Sequence, residues 1–459
     1  MNPVGRRLIA SFGANSLGRV VTTLIQLISV PVFIQHWGAS KYGEWILLST
    51  IPNYFALSDI GFGSVAGNEM TVLMAKQRVD DALEIFQSVW ILTTCASICA
   101  GILLLIGIWF TPLENWLHLR SFNRNEAHRV ILFLGISVLL SMQETLFQAA
   151  FRSIGRYAYG TAMKNLFVLA SFGVILLPLS LGVSPSGVAL CYLLTNAIGT
   201  CMFCRLLRNK VPWIKFGVKQ ASLRAIRSLS MPAVSMMSLP FCNLLSVQGI
   251  LVVIGHMLGP VAVVTFSTAR TVSRSALQVM QLINTAVWSE MSAALGADNL
   301  TLARQLHGKA CQLSIFLCLC VSLAVAVVGR NVWLAWTLGK VPTDPLLLDI
   351  MVVQLLISSL WYTSSVVPLS INKHPQIARV LIISSSLSLI FSWILMRFPP
   401  LQLRGAPIGL VLGDLINAVY VVRISLRILG DKFPDFVLSC LQLPRLSQLK
   451  AIAYSRPSS

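Results

Sequence analysis

The stretch IFQSVWILTTCASICAGILLLIGIWF, residues 85–110, carries no charged side chain. As an α-helix rising 1.5 Å per residue it is about 39 Å long, which exceeds the roughly 30 Å hydrocarbon core of a bilayer. The 459 residues together have the same character, with 56% hydrophobic residues, 11% charged residues and a mean hydropathy of +0.76. A soluble domain has about 25% charged residues. The composition therefore indicates an all-α polytopic membrane protein and excludes a soluble enzyme, a disordered chain and a disulfide-stapled module.

Twelve apolar helical stretches can be distinguished in the sequence, at about 20 apolar residues for each membrane span. Several of them are longer than a minimal span, so we expect tilt or extension beyond the bilayer. The predicted stretches are 8–34, 42–69, 85–110, 130–151, 165–180, 187–204, 229–254, 262–294, 308–328, 349–371, 380–396 and 406–422.

Basic residues are distributed unevenly between the two sides of this predicted topology. The loops and tails on the side of the termini contain 24 of the 35 Lys and Arg residues, the opposite loops contain 8, and 3 lie inside helices. Because basic residues resist translocation, this bias predicts cytoplasmic termini and an even number of spans. The formal charge of +19 has the same explanation, and we do not predict nucleic-acid binding.

The sequence also repeats itself weakly. Ile34–Gly38 resembles Ile254–Gly259, and Glu69-Met70 resembles Glu290-Met291 at an offset of 221 residues. Six helices separate the matched segments, so both halves would insert with the same orientation as a parallel repeat around a central cavity. The predicted organisation is an N-terminal six-helix lobe (1–204), a basic cytoplasmic linker (205–228), a C-terminal six-helix lobe (229–422) and a basic cytoplasmic tail (423–459).

Three arginines lie inside predicted helices, Arg19 in the first and Arg270 and Arg274 in the eighth. An ionisable group at such a position is costly and is therefore a functional candidate. Arg270 and Arg274 are four residues apart, so they share a helix face. Guanidinium forks match phosphate oxygens, and the three residues would suit a phosphate or diphosphate in a water-filled cavity. The alternative is internal pairing with an acidic residue: Asp59, Glu144 or Asp414.

Five acidic residues are candidates for coupling, gating or structural ion pairs. Asp59 would pair with an arginine, cap a broken helix or bind a coupling cation. Glu69 and Glu290 fall at matching ends of the second and eighth helices, which favours salt bridges at a gate or loop. Glu144 suits either a buried proton site or a pair with a neighbouring helix, and Asp414 is equally open.

No catalytic, cofactor or metal motif is present in the sequence. It contains no Walker motif, no GxSxG and no metal-ligand cluster. Cys201 and Cys204 have CxxC spacing, but no second Cys or His pair accompanies them, so packing is the expected role of the ten cysteines. We therefore expect a protein that is not an enzyme and has no cofactor.

The segment IQHWGASKYGEWILLSTIPNYFALSDIGFGSVAGNEM, residues 34–70, resembles the polysaccharide-transporter family of bacterial lipid-linked oligosaccharide flippases. This family includes the Wzx-type O-antigen and exopolysaccharide flippases. It is related to the multidrug and toxin extruders and the lipid II flippases within the MOP exporter superfamily. The resembling features are Gly38, Tyr42-Gly43, Trp45, Leu57–Gly63 and the basic loop Ser153–Tyr157.

The resemblance implies two six-helix lobes that alternate in access. It implies translocation of undecaprenyl-diphosphate-linked repeat units across the bacterial inner membrane for O-antigen, capsule or exopolysaccharide synthesis. It also implies cationic cavity residues, for which Arg19, Arg270 and Arg274 are the candidates. Partners would be the lipid bilayer, a polysaccharide polymerase and export machinery. Two other functions stay open: a multidrug or cation antiporter, which favours acidic cavity residues, and a polymerase or membrane glycosyltransferase, which needs large outer loops.

Overall fold

The computed structural model describes residues 3–55, 61–371 and 374–441, and within these ranges the protein consists of helices and connecting segments without a β-strand. This confirms the predicted all-α fold. Two short helices are of other types: a single-turn π-helix at Leu245–Gly249 and a 3₁₀ helix at Gln402–Arg404, each continuous with the α-helix that follows it. The α-helices are α1 Pro3–Phe55, α2 Phe62–Ala75, α3 Val79–Phe110, α4 Leu113–Trp116, α5 Arg124–Ser153, α6 Tyr157–Ser180, α7 Pro185–Lys210, α8 Leu223–Leu244, α9 Ile250–Leu258, α10 Pro260–Ser273, α11 Ser275–Gly296, α12 Leu300–Trp336, α13 Pro345–Ser364, α14 Val366–Ser370, α15 His374–Met396, α16 Gly405–Leu429 and α17 Phe433–Leu441.

Ten helical runs among the described residues are long and apolar enough to cross a membrane. The first of them, Gly13–Phe55, has 43 residues and is about 65 Å long, twice the thickness of the hydrocarbon core. It turns at Gly38 and therefore contains parts of the first two predicted spans. The predicted eighth span, 262–294, is divided at Arg274 between α10 and α11 and is not among the ten. These two departures account for the difference between ten runs and the twelve predicted spans.

A glycine with the same backbone conformation joins two helices in each sequence repeat. Gly38 has φ 72° and ψ 169°, and Gly259 has φ 84° and ψ 178°. This combination of torsion angles is essentially restricted to glycine. It lets α1 change direction at Gly38, and α9 meet α10 at Gly259, without a loop. The two glycines are 221 residues apart, which is the offset of the sequence repeat.

The chain packs as two compact units, and the boundary between them falls inside α10 rather than in the segment 205–228. Helix α8 belongs to unit 1 because Leu229 and Ala233 are buried in the same apolar cluster as Phe86 of α3. The predicted division into lobes rests on the repeat and not on packing, so it stays a prediction. Unit 1 comprises Met1–Val264 and Trp336–Val341, and unit 2 comprises Thr265–Ala335 and Pro342–Ser459.

In unit 2, α15 and α16 approach each other through small residues. A Cβ atom on Gly409 would lie 2.5 Å from the backbone nitrogen of Ser392 and 2.8 Å from the carbonyl oxygen of Ser388. Gly413 is packed in the same way against Ser384 and Ser388. Small residues four positions apart allow close contact between membrane helices. This contact fixes α16, which carries Asp414, against its neighbour.

Candidate functional site

A break in the helix marks the position of the two arginines in unit 2. Helix α10 ends at Ser273 and α11 begins at Ser275, and between them the amide of Arg274 donates to the carbonyl of Arg270 at 3.0 Å. Arg270 and Arg274 lie 10 and 14 residues beyond Pro260, the first residue of α10. At 1.5 Å per residue these positions are about 15 and 21 Å from that end, within the middle of a bilayer core.

Arg270 and Arg274 are half-buried, and residues next to them in α10 are fully buried. Arg270 places its guanidinium carbon 5.5 Å from the ring centroid of Phe266, which is fully buried, as is Ala269. Arg274 is close enough to Arg270 and to Asp414 to interact electrostatically with both. The spacing of four residues predicts that Arg270 and Arg274 share a helix face, and their two like charges are close enough to repel each other.

Asp414 is the acidic group of this region, and α13 holds it in place. Its Oδ2 atom accepts hydrogen bonds from Ser358 Oγ at 2.7 Å and Gln354 Nε2 at 3.1 Å, and its Oδ1 atom accepts one from Trp361 Nε1 at 3.0 Å. Three neutral donors thus anchor the carboxylate in addition to the field of Arg274. Arg274 and Asp414 interact electrostatically without a direct ion pair, so internal pairing and an anion site both stay predictions.

The positive groups nevertheless outnumber the negative ones at this depth of unit 2. Its seven acidic residues all belong to the described part of the chain. Among them only Asp414 lies more than two helical turns from both ends of its helix, and Asp344, at the start of α13, forms an ion pair with Arg404. The described part of unit 2 therefore has one carboxylate and two guanidinium groups at this depth.

Arg19 belongs to unit 1, where it is half-buried near the middle of the first arm of α1. This arm is attached to α6, because Asn165 Nδ2 donates to the carbonyl of Ala14 at 2.9 Å. The hydroxyl of Tyr157 donates to Asn15 Oδ1 at 3.2 Å. Arg19 lies in a different unit from Arg270 and Arg274, and a joint site of all three stays a prediction.

Glu144 forms an ion pair inside unit 1. Its Oε2 atom is 3.6 Å from Lys164 Nζ, and its Oε1 atom accepts a hydrogen bond from Thr200 Oγ1 at 3.0 Å. The predicted helical stretch 165–180 leaves Lys164 outside a helix, and this is wrong, because α6 begins at Tyr157 and places Lys164 in its second turn. The pair borders a cavity of about 170 Å³ that Tyr192 and several serines also line. Glu144 thus pairs with a neighbouring helix, one of the two roles left open for it.

The remaining acidic candidates contribute less to the site. Glu69 and Glu290 are exposed. The predicted position at matching helix ends is wrong, because Glu69 lies in the middle of α2 and Glu290 lies six residues before the end of α11. Their role in a gate stays a prediction. Asp59 lies outside the described residues.

Sequence reasoning missed a buried carboxylate, Glu44. It is fully buried and accepts hydrogen bonds from three consecutive backbone amides, those of Arg120, Ser121 and Phe122, at 2.9–3.1 Å. The only local signal was its position inside the segment Tyr42–Trp45. The partners lie 76–78 residues away in the chain, so spacing does not reveal them.

Solved transporter structures share this arrangement of helices, although the sequence itself finds no match. No family model matches the sequence, and no curated protein matches it. A solved structure described as the inward-facing conformation of a multidrug resistance MATE family transporter of the MOP superfamily superposes with a TM-score of 0.69. The two sequences are 16% identical, and the match covers 88% of this chain and 98% of that one. The protein has the MATE transporter fold.

Two further structures show the same MATE fold. One is the outward-facing conformation of a multidrug resistance MATE family transporter, with a TM-score of 0.64, 15% identity and coverage of 93% and 96%. The other is a MOP superfamily transporter from Pyrococcus furiosus, with a TM-score of 0.63, 16% identity and coverage of 93% and 96%. That transporter is described as having a binding pocket of reverse polarity that suggests a different function. Identities this low establish the fold and leave the substrate to the chemistry of the site.

Proposed function

We propose that the protein is a MOP superfamily transporter that flips undecaprenyl-diphosphate-linked oligosaccharide repeat units across the bacterial inner membrane by alternating access. The fold supports the transport part of this proposal, because similar structures are MATE family transporters seen in inward-facing and outward-facing conformations. The segment 34–70, which resembles the polysaccharide-transporter flippases, supports the choice of substrate.

The observation that carries the proposal is the charge at the break between α10 and α11. Arg270 and Arg274 lie close together in the middle of the membrane-spanning region, and Asp414 is near enough to interact with Arg274. A diphosphate and its sugar hydroxyls cannot enter hydrocarbon without losing their solvation. Guanidinium groups restore that loss through charge-assisted, bidentate hydrogen bonds. An anionic headgroup suits a site where two guanidinium groups lie close together and one carboxylate lies near them.

The other candidate functions fit the site less well. A multidrug antiporter for cationic compounds needs an excess of carboxylates in the cavity, whereas the charges here have the opposite balance. A polymerase or membrane glycosyltransferase needs large outer loops that carry catalytic groups. The described segments that would form these loops, 111–123 and 337–344, contain only 13 and 8 residues.

The same proposal places the protein in the inner membrane with both termini in the cytoplasm. Its partners are the bilayer, which holds the polyprenyl tail of the substrate, and the polysaccharide polymerase and export machinery that receive the product. The protein acts without a cofactor and without catalysis, because flipping changes the position of the substrate and breaks no covalent bond.

A deletion strain tests this function. We expect cells lacking the protein to accumulate the undecaprenyl-diphosphate-linked repeat unit on the inner face of the membrane and to lose surface polysaccharide. The wild-type chain restores both, and so does Arg330→Ala, which removes an exposed charge near the end of α12. A strain that makes normal amounts of polysaccharide without accumulating the lipid-linked unit contradicts the proposal.

A further inference from the structure

The connection between α7 and α8 forms an unusually basic surface. The segment 205–227, called here the basic platform, contains seven Lys and Arg residues and no Asp or Glu. All seven basic residues are exposed. They are Arg205, Arg208, Lys210, Lys215, Lys219, Arg224 and Arg227.

Hydrogen bonds hold the backbone of the basic platform against α3. Gln87 Nε2 donates to the carbonyl of Lys215 at 2.8 Å, and Gln87 Oε1 accepts from the amide of Gln220 at 2.9 Å. The amide of Ser222 donates to Ser88 Oγ at 2.9 Å. Two adjacent side chains of one helix thus fix both halves of the loop, so the predicted linker is docked onto unit 1.

An aromatic anchor adds to these hydrogen bonds. Phe216 lies edge-to-face against Phe86, Trp90 and Phe147, with ring centroids 5.4, 5.5 and 5.9 Å apart. The guanidinium carbon of Arg208 lies 5.0 Å from the centroid of the Phe216 ring, so part of the cationic surface is also positioned by this anchor.

Large apolar side chains project from the basic platform instead of joining the core. Leu223 is 84% exposed and Val218 is 66% exposed, and each is next in sequence to a cation, Arg224 and Lys219. The platform includes the end of α7, a candidate membrane span that ends at Lys210, and the start of α8, which begins at Leu223 and leads into the candidate span Pro240–Leu258. The exposed apolar tips and the fixed cations therefore lie at a membrane surface, where apolar groups enter the interface and cations meet headgroups.

We propose that the basic platform binds the anionic headgroups of the phospholipids beside it. The retention of basic residues on one side during insertion explains their number. It does not explain why the loop is docked by Gln87, Ser88 and Phe216, or why Leu223 and Val218 point outward. A cation near an anionic membrane surface contributes about a fivefold change in affinity, and salt screens the interaction over about 8–10 Å. This inference is independent of the transported substrate.

The test uses the full-length protein in a neutral detergent, with either dioleoyl phosphatidylglycerol or dioleoyl phosphatidylcholine added. We expect phosphatidylglycerol to raise the melting temperature more than phosphatidylcholine does, and salt to reduce the difference. A variant with Lys215, Lys219, Arg224 and Arg227 changed to Gln should need at least about fivefold more phosphatidylglycerol for the same rise. Leu223→Ser keeps every charge and should weaken the same response, which separates lipid binding from a general loss of folding.

A matched control removes four exposed charges at the opposite ends of the helices, with Arg120, Arg129, Arg330 and Lys340 changed to Gln. The control should respond to phosphatidylglycerol as the wild type does. Equal responses to the two lipids, or an equal loss in the control, overturn the proposal. So does an equal rise in melting temperature with polyglutamate, since the surface would then bind any polyanion, such as an acidic protein.

Discussion

Replacement of Arg274 by alanine separates an anion site from a structural ion pair. Asp414 keeps its hydrogen bonds from Ser358, Gln354 and Trp361 after this change, so the carboxylate stays satisfied and the protein should fold. A charge-assisted hydrogen bond contributes about 1.5–3 kcal/mol. The loss for a diphosphate substrate is therefore about 10- to 150-fold in affinity, at about 1.4 kcal/mol per factor of ten.

The assay for Arg274→Ala has two parts: the amount of folded protein in the membrane, and the surface polysaccharide made per molecule. We expect nearly normal protein and strongly reduced polysaccharide, with partial recovery in Arg274→Lys, which keeps the charge and loses the bidentate fork. Asp414→Ala should instead reduce the amount of folded protein more than it reduces the polysaccharide made per molecule. It leaves three donors without their acceptor, and for the two buried ones, Gln354 and Ser358, the cost is about 1–3 kcal/mol each. Poor folding of Arg274→Ala that is repaired by adding Asp414→Asn would refute this reasoning.

Three other changes test separate parts of the structure. Gly259→Ala should lower stability by about 1–3 kcal/mol because it forces a side chain into a glycine conformation, whereas Gly107→Ala, in open space with ordinary helical torsion angles, should have little effect in the same melting experiment. Glu44→Gln should destabilise the protein by about 1–3 kcal/mol, since its amide NH₂ group would face backbone donors, and the nearby loop should exchange its amide hydrogens faster. Lys164→Met should reduce stability because it leaves the carboxylate of Glu144 uncompensated, and adding Glu144→Gln should recover part of the loss.

Those features that depend on composition and periodicity were predictable from the sequence. Long apolar runs without charge predict membrane helices, because lipid forces each backbone group to bond within its own helix. The offset of the repeat matched Ile34–Gly38 with Ile254–Gly259, and the structure gives both terminal glycines the same conformation. The candidates Arg270, Arg274 and Asp414 were found because charge is rare inside such runs.

Features that depend on contacts distant in sequence were not predictable. The break at Arg274 interrupts a continuous apolar pattern, and the role of Glu44 depends on amides at 120–122. The predicted stretch 165–180 leaves out Lys164, because a charge alone suggests the end of a membrane helix. Docking of the linker depends on Gln87 and Ser88, two polar residues that look unremarkable in an apolar helix.

Translocation by the purified protein tests the proposed function most directly. The protein is reconstituted into liposomes with a fluorescent undecaprenyl-diphosphate oligosaccharide, and the fraction that reaches the opposite leaflet is measured by quenching from outside. We predict faster translocation than in protein-free liposomes, a large reduction for Arg274→Ala and no reduction for Arg330→Ala. Transport of a cationic drug in place of the lipid-linked sugar, or equal rates for the wild type and Arg274→Ala, would contradict the proposal.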